Sequence, residues 1–221
     1  MDDLQNHLLQ LSLTGITPEG HKKHLYYLKN SGFEPKVIYD IGSCVLNWAS
    51  VVKELWPNAE IILFDAFQEA EFLYEDYNYY IGCLSDVDDK EVKFYQNDRF
   101  PCGNSYYREI GCDDENYFPE DKYKIMKTVT LDRIVKERKF PLPDFVKIDV
   151  QGAELDILKG GIETLGNAKR LIVELQHKEY NEGAKLVDES LPIIESMGWK
   201  CDCPLFQNNG PDGDYSFIRY K

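Results

Sequence analysis

Basic residues are in short supply in this sequence. Its 221 residues include 25 lysines and arginines against 39 aspartates and glutamates, which gives a formal net charge of -14 at pH 7. Binding to a nucleic-acid backbone or to an anionic membrane depends on clustered Lys and Arg. The composition leaves room for a local basic patch, but it argues against either of these partners. We therefore expect a protein that does not act on nucleic acid.

Long apolar runs are also missing. None approaches the roughly 20 residues that cross a bilayer, and the opening Met1-Asp2-Asp3 lacks the basic and then apolar pattern of a signal peptide. We therefore expect a cytoplasmic protein without a membrane span. No Ser/Gly-rich or Pro-rich linker interrupts the chain, and a chain of this length can bury one good core. One domain is the better expectation.

Metal-ligand spacings are absent from the cysteines and histidines. The six cysteines are Cys44, Cys83, Cys102, Cys112, Cys201 and Cys203. No Cys/His spacing fits a four-ligand zinc site, and free thiols are the simplest expectation in the cytoplasm. A disulfide or metal clip of Cys102 with Cys112, or of Cys201 with Cys203, is the alternative. His7, His21 and His24 are interpreted as surface or packing residues, since no acidic or cysteine partner accompanies them.

Short apolar runs alternate with helical patterns along most of the chain. Two helices are expected within residues 4–30, broken at 15–20. The predicted strands cover 36–41, 60–65, 79–84, 91–95, 145–149, 171–175, 199–203 and 215–220, the last two joined as a hairpin through residues 208–211. The predicted helices cover 48–56, 68–74, 131–139, 152–160 and 183–197. This order is typical of a doubly wound α/β fold with right-handed crossovers.

Acidic residues close the first two strands of this pattern. Asp40 is followed by a turn through Gly42, and Asp65 ends the next strand. Open α/β sheets bind ligands at the carboxyl ends of their strands, so both carboxylates are expected in a binding crevice. A dinucleotide site is disfavoured, because Gly42 alone is present from the G-x-G-x-x-G pattern and the acidic residue before it would repel phosphate.

Residues 97–126 show little periodicity and many aromatic side chains. Long irregular insertions in compact domains are often lids or binding loops. We interpret this segment as a cover on the substrate side, with a variable surface loop as an equal alternative.

Four motifs carry a family resemblance: Asp40-Ile-Gly42-Ser43, Phe64-Asp65, Leu131-Asp132 and the block from Lys147 to Gly160, KIDVQGAELDILKG. From about Lys36 to the C-terminus the chain resembles the FkbM family of S-adenosylmethionine-dependent methyltransferases. The resemblance implies a Rossmann-like class I fold, with a seven-stranded, mostly parallel sheet flanked by helices and an antiparallel C-terminal hairpin. It also implies a methyltransferase domain over 36–221 with an insertion at about 97–126, on which a helical segment, 1–35, would pack.

The resemblance places a methyl donor between Asp40-Gly42 and Asp65. Asp65 would accept both ribose hydroxyls, which a carboxylate can do with its two oxygens. Gly42 would let the backbone approach the ligand, and Asp40 would hold the turn or, through water, the ammonium of the donor. An alternative for Asp40 is a simple capping or turn role. Ser43 and Ala66 are assigned to the same site, with Ser85 and Asp86 as weaker candidates near the adenine.

The glycine turn departs from the family pattern at two positions. The family usually has Asn and a second Gly where this chain has Cys44 and Leu46. The detailed path of this loop is therefore in question, although Asp40, Gly42 and Asp65 are retained.

A hydroxyl acceptor needs a group that takes its proton. His177 follows the carboxyl end of the strand 171–175, and we expect it to be the base, positioned by Asp149 or Glu174. The alternative is that His177 only caps the sheet. Asp149, Glu174 and Glu154 could instead gather a divalent cation, which we favour less than a metal-free base because carboxylates at strand ends are common. Glu154 also lies in the first turn of a predicted helix, where the dipole alone favours a carboxylate.

On the acceptor side, the candidates for hydrogen bonding are Lys147, Asn104 and Ser105, with the tyrosines of 100–123 stacking on a sugar ring. The predicted function is O-methylation of a sugar or glycan hydroxyl, as in many members of the family. The alternatives are a non-sugar small molecule or a peptide as acceptor, or a catalytically silent scaffold that binds the cofactor.

Overall fold

The computed structural model describes residues 2–111 and 117–220. Within them the α-helices are α1 (Asp3–Thr14), α2 (Glu19–Asn30), α3 (Asn47–Leu55), α4 (Leu131–Arg138), α5 (Glu154–Gly160), α6 (Ile162–Leu165) and α7 (Val187–Ser196). The strands are β1 (Val37–Ile41), β2 (Glu60–Asp65), β3 (Asn78–Ile81), β4 (Cys83–Leu84), β5 (Glu91–Phe94), β6 (Lys124–Val129), β7 (Phe145–Ile148), β8 (Arg170–Gln176), β9 (Trp199–Asn208) and β10 (Asp212–Arg219). Two 3₁₀ helices cover Gln68–Tyr74 and Pro101–Gly103.

Seven strands form the main sheet in the order β3-β2-β1-β7-β8-β10-β9. The first five run parallel, and β10 pairs antiparallel with both β8 and β9. The predicted seven-stranded, mostly parallel sheet with an antiparallel C-terminal hairpin is therefore confirmed. The strand order reverses between β1 and β7, and such a reversal is where this class of sheet opens a crevice for ligands.

Helices cover both faces of the sheet, which explains the unbroken apolar strands. Neighbouring residues of β1 face opposite sides, so Ile38 packs with Leu8, Leu25 and Trp48 on one face. On the other face Tyr39 packs among apolar residues of α4–α7 and of the neighbouring strands. A strand buried on both faces gains from apolar residues at every position.

The N-terminal helices pack against the sheet and against the C-terminal hairpin. On α2, Leu25 and Leu28 are fully buried, and the buried rings of His21 and His24 lie 5.1 and 4.4 Å, centroid to centroid, from Phe206 of β9. Burial lowers the pKa of His24 to about 4. The histidines of α2 therefore pack in the interior, as one of the two interpretations expected.

The structure differs from the predicted elements at several boundaries. The strand expected at 79–84 is divided, with β3 in the main sheet and β4 in a three-stranded sheet with β6 and β5. The helix predicted from residue 183 begins at Val187, and the one predicted at 68–74 is a 3₁₀ helix. The end of the segment expected to be irregular, 97–126, belongs to β6, whose exposed residues alternate too weakly to be recognised as a strand.

Cys44, Cys83, Cys102, Cys201 and Cys203 are free thiols, as expected. Cys112, the suggested partner of Cys102, lies outside the described residues. Within 2–111 and 117–220, no helix has the length and apolar character needed to span a bilayer.

Candidate active site

A cavity of about 360 Å³ opens at the carboxyl ends of the parallel strands, which is within the usual size of a small-molecule site. One end is lined by the turn after β1 and by the residues after β2, and we call it the β1–β2 end. The other is lined by side chains of β8, the β9–β10 hairpin and α2, and we call it the β8–β10 end. Lys147 and Asp149 of the β7 segment lie between them.

Gly42 is required by contact within the protein. Its φ is +83°, and a Cβ built on it would lie 1.8 Å from the carbonyl oxygen of Asp149. Only glycine adopts such a backbone readily and leaves this space free. Close approach of the β7 loop is therefore one reason for this glycine, and the expected close approach of a ligand stays a prediction, since Gly42 also lines the cavity.

Asp65 lines the β1–β2 end and binds two backbone amides. Its Oδ2 accepts from the Cys44 amide at 2.6 Å, and its Oδ1 accepts from the Phe67 amide at 2.8 Å. Burial raises the pKa of this carboxyl, against the opposing effect of these hydrogen bonds. Each carboxylate oxygen still has a second acceptor site, so the side chain can hold a vicinal diol. Ser43 and Ala66 line the same end.

Cys44 and Leu46 occupy left-handed backbone conformations, with φ of +46° and +71°. These are the two positions at which the resembling family usually has Asn and Gly, the residues that adopt this region most readily. The loop therefore holds two residues in left-handed conformations that their side chains adopt less readily than Asn or Gly would. The Cys44 thiol also lies 3.7 Å, sulfur to sulfur, from the thiol of Cys102, and both residues line the cavity.

Asp40 lies beneath the cavity and does not line it. Its side chain is fully buried, and Oδ1 is 3.5 Å from Nζ of Lys147. Burial raises the pKa of Asp40 to about 6, opposed by Lys147. Lys147 also contacts Asp149 Oδ2 at 3.2 Å and the Gly42 carbonyl oxygen at 3.3 Å. The lysine therefore links the two strand ends. Asp40 does not line the cavity, and its expected contact with the donor's ammonium through water stays a prediction.

Asp149 and Glu174 form a carboxyl pair on the cavity wall. The side-chain amide of Gln151 donates to Asp149 Oδ1 at 3.1 Å and to Glu174 Oε2 at 2.6 Å. Burial raises the pKa of Glu174 well above its usual range, and the charge of Asp149 adds to this effect. Burial acts on Asp149 in the same direction, but Lys147 and the hydrogen bonds from Gln151 and Glu174 outweigh it and lower its pKa. Asp149 is therefore the ionised member of the pair.

Glu154 does not line the cavity and binds backbone amides. Its Oε1 accepts from the Val150 amide at 2.9 Å, and its two oxygens accept from the Gly152 amide at 3.1 and 3.0 Å. Burial raises its pKa to about 7. The carboxylate shapes the loop after β7, so the structure does not bring Asp149, Glu154 and Glu174 together as metal ligands. Among the described residues, no group of three or more His, Cys, Asp or Glu side chains is arranged to hold a metal ion.

The β8–β10 end contains a buried pair that the sequence interpretation missed. Nε2 of His21 lies 3.0 Å from Oδ2 of Asp214, and both side chains are almost fully buried. Asn209 donates to Oδ2 of Asp214 at 3.3 Å and to Oε1 of Glu174 at 3.2 Å. The acidic partner of His21 is 193 positions away on β10, and no local pattern marks it.

Three of the remaining expected site residues line the cavity and three do not. Asn104, Ser105 and Lys147 do. His177 does not, and its Nε2 is 2.9 Å from the Tyr215 hydroxyl, so the structure favours the alternative in which His177 caps the sheet. Ser85 and Asp86 lie outside the lining as well, because the chain turns into the small sheet at Cys83 and Leu84, which line the cavity in their place.

Comparison with known proteins identifies the family. The family model described as "Methyltransferase FkbM domain" matches residues 40–201, well over half of the chain. Hexuronic acid methyltransferase AglP of Haloferax volcanii is 40% identical over 50 residues, which cover 23% of this chain and 21% of that protein. The match thus spans about a fifth of that relative's length.

Two solved structures are similar in fold. Human N-acetylserotonin methyltransferase, in complex with S-adenosylmethionine, has a TM-score of 0.50 at 9% identity over 99% of this chain and 56% of that one. Precorrin-6y C5,15-methyltransferase of Geobacter metallireducens has a TM-score of 0.50 at 11% identity over 93% and 90% of the two chains. At these identities the likeness shows the fold, which is that of class I methyltransferases.

The residues of the β1–β2 end fit S-adenosylmethionine as the cofactor. Asp65 offers two oxygens to a ribose diol, and Phe64, Leu84 and Ile157 provide apolar lining for an adenosyl group. The acidic surroundings suit a donor that carries a sulfonium and an ammonium. With the sheet order, the FkbM match over 40–201 and this cavity all in agreement, the chain belongs to the FkbM family of S-adenosylmethionine-dependent methyltransferases.

Proposed function

We propose that this methyltransferase acts on a hydroxyl group, most simply that of a sugar or glycan, and that Asp149 receives the hydroxyl proton. The observation that carries the proposal is the carboxyl pair of Asp149 and Glu174 on the wall of the cavity. The pair lies beside the end that would hold the donor, and Asp149 is its ionised member. It therefore offers a proton acceptor where an acceptor hydroxyl would stand.

A carboxylate is basic enough for this role. When bound, S-adenosylmethionine supplies a methyl group on a sulfonium, which departs as a neutral thioether. A hydroxyl oxygen becomes far more acidic as it gains a methyl group, so a carboxylate can take its proton even when its pKa is lowered, as that of Asp149 is. Lys147, 3.2 Å from Asp149, holds that carboxylate in place, and Gln151 fixes its orientation relative to Glu174.

The backbone at Gln151 also contributes to the positioning of the two carboxyl groups. Gln151 has a left-handed φ of +58°, a conformation that costs roughly 1–3 kcal/mol for a non-glycine residue and that clusters at functional sites. This conformation accompanies the bridge between the two carboxyl groups. Holding an acceptor oxygen in line with the methyl group supplies much of the rate in such displacements.

A sugar is favoured as acceptor by two observations. Trp48, Phe94 and Tyr106 line the cavity, and aromatic faces suit the apolar faces of sugar rings. The match to a hexuronic acid methyltransferase supports the same class of acceptor. The full-length relative is about five times longer than the matched stretch, so the likeness supports the class of acceptor and no further detail.

Labelled methyl transfer tests the proposal. Purified protein with S-adenosylmethionine carrying a labelled methyl group is incubated with glycan and peptide fractions, and the product is then treated with mild alkali. We expect label in the glycan fraction that survives alkali, because an ether is stable where a methyl ester is hydrolysed. Label found only in peptides, or released by alkali, would contradict the proposal.

Catalytic silence is tested in the same assay. A scaffold that only binds the cofactor would be favoured by three results together. Calorimetry would show binding of S-adenosylhomocysteine, no glycan or peptide fraction would be methylated, and Asp149→Asn would change neither the binding affinity nor the absence of transfer.

A further inference from the structure

The β8–β10 end differs from the rest of the cavity in its charge and in the part of the chain that forms it, since α2 and β10 lie outside the family match. Resting on the proposed function, we propose that this end selects a sugar that is uncharged or bears an amine, that it rejects hexuronates, and that Asp214 is the residue that determines this specificity.

The two ends of the cavity are far enough apart for separate ligands. Asp65 ends β2 and Glu174 lies on β8, and β1 and β7 lie between these strands. Three strand spacings of about 4.8 Å place them roughly 14 Å apart across the sheet. Asp214 on β10 lies one strand further. A donor whose ribose is held by Asp65 leaves the β8–β10 end to the acceptor.

Carboxyl groups dominate that end and the β7 segment beside it. Asp149, Glu174 and Asp214 all line the cavity. Lys147 is the one lysine or arginine among the described residues that line it, and its ammonium already contacts Asp40 and Asp149. Glu174 is the protonated member of its pair, so the carboxylates of this wall are Asp149 and Asp214. An acceptor carboxylate would therefore leave water for a site that holds two like charges and whose one lysine is already engaged by Asp40 and Asp149. Charges close together in a water-poor site repel strongly.

Asp214 is the carboxylate of this wall that has an oxygen free to accept a hydrogen bond. It is 1% exposed, and His21 and Asn209 both contact its Oδ2. Its Oδ1 has no hydrogen-bond partner within the described protein. A buried carboxylate oxygen without a partner is costly, and a donor group of the acceptor, a hydroxyl or an ammonium, would satisfy it.

The pair of His21 and Asp214 lies outside the part of the chain that defines the family. The family match covers residues 40–201, whereas α2 precedes it and β10 follows it. The acceptor wall therefore combines the β7 and β8 segments, which lie inside the match, with α2 and β10, which lie outside it. A specificity device is expected in such a place, since the matched region carries the reaction common to the family.

The test compares three methyl glycosides of one ring configuration: a hexoside, the 2-amino-2-deoxyhexoside and the hexuronide. We expect kcat/KM for the hexuronide to be at least about tenfold below that of the hexoside, and the aminohexoside to be used at least as well as the hexoside. Hexuronide turnover equal to or above that of the hexoside would overturn the proposal.

Substitution of Asp214 isolates its contribution. In Asp214→Asn, which keeps the shape and removes the charge, the hexoside-to-hexuronide ratio should fall by at least about threefold. Asp76→Asn removes the same charge at an exposed site outside the cavity and should leave the ratio unchanged. An unchanged ratio in folded Asp214→Asn overturns the assignment of Asp214. Should that variant fail to fold, the wild-type ranking still decides the acceptor class.

Binding separates this inference from the proposed reaction. The dissociation constants of the three glycosides are measured by NMR on protein saturated with S-adenosylhomocysteine. If the affinities follow the expected ranking but no glycoside is methylated, O-methylation of sugars is contradicted and the charge selectivity is retained. If the glycosides are methylated but their affinities follow the opposite ranking, O-methylation of sugars is retained and the charge selectivity is contradicted.

Discussion

The two ends of the cavity were built in different ways. The β1–β2 end depends on two short stretches, residues 42–46 and 65–67, joined by backbone hydrogen bonds to Asp65. The β8–β10 end is assembled from side chains of α2, β8 and the β9–β10 hairpin, which are spread over most of the chain. A site made by local backbone geometry leaves a sequence motif, whereas one made by distant side chains leaves none.

The largest effect is expected from Asp149→Asn. If the carboxyl pair serves only the chemical step, kcat should fall by about 10²–10⁴-fold, which is the usual contribution of a proton acceptor. The affinity for S-adenosylhomocysteine should change by less than about threefold, because the donor is held at the other end. Methyl-transfer kinetics and calorimetry measure the two quantities. A large loss of donor affinity would show that Asp149 belongs to both ends.

Asp65→Asn makes the converse substitution. One of its oxygens becomes an amide nitrogen, which removes the charge that would bind a ribose diol. Hydrogen bonds to charged groups contribute about 1.5–3 kcal/mol, so the affinity for S-adenosylhomocysteine should fall by about 10–100-fold. Asp76→Asn, an exposed site outside the cavity, is the control. Unchanged donor affinity in folded Asp65→Asn would remove Asp65 from the donor site.

Glu154 provides a smaller effect that depends on pH. Its pKa is about 7 in the folded protein and about 4.3 when unfolded, so the folded state binds more protons between these values. The free energy of unfolding therefore falls as pH rises, and the contribution of Glu154 is lost by pH 8. From pH 6.5 to pH 8 this amounts to roughly 1 kcal/mol.

Urea denaturation at the two pH values measures this contribution, and Glu154→Gln should flatten the difference. Asp40, with a pKa of about 6, adds in the same direction at lower pH. His24 acts oppositely, since its pKa is lowered to about 4, but its effect is confined to pH values below about 6.5. Stability that rises between pH 6.5 and pH 8 would contradict the assignment to Glu154.

The smallest effect concerns the backbone of the glycine turn. Cys44 has a φ of +46°, and asparagine adopts this region at lower cost. Cys44→Asn should raise the free energy of unfolding by up to about 1 kcal/mol, since the backbone amide still reaches Asp65. Cys83→Ser, which changes a thiol without a left-handed backbone, is a comparison in which no gain is expected. Destabilisation by Cys44→Asn would mean that its thiol packing outweighs backbone strain.

The sequence was sufficient for the fold because the fold depends on patterns that are local. Apolar runs with acidic ends at 36–41 and 60–65 predicted β1 and β2, and the block from Lys147 to Gly160 predicted the β7 loop and α5. The boundary between β3 and β4 was missed, since a two-residue strand in a separate sheet has no periodicity of its own. The first residues of β6 were missed for another reason, because its six residues alternate too weakly between exposed and buried.

The site was only partly predictable for the same reason. Asp65, Asp149 and Glu174 follow or end apolar strands, so their positions could be expected from strand polarity. His21 could not, because its partner Asp214 is on the last strand and their contact depends on how α2 crosses the hairpin. His177 was chosen from its place after a strand, but the chain turns there toward Tyr215 and away from the cavity.

The thiols of Cys44 and Cys102 give the donor site a chemical sensitivity of its own. At a sulfur separation of 3.7 Å, removal of two electrons and two protons by a peroxide would tie the glycine turn to the 101–103 segment. Protein kept in air would then display the ligand affinity of a crosslinked form, and dithiothreitol would restore the native value.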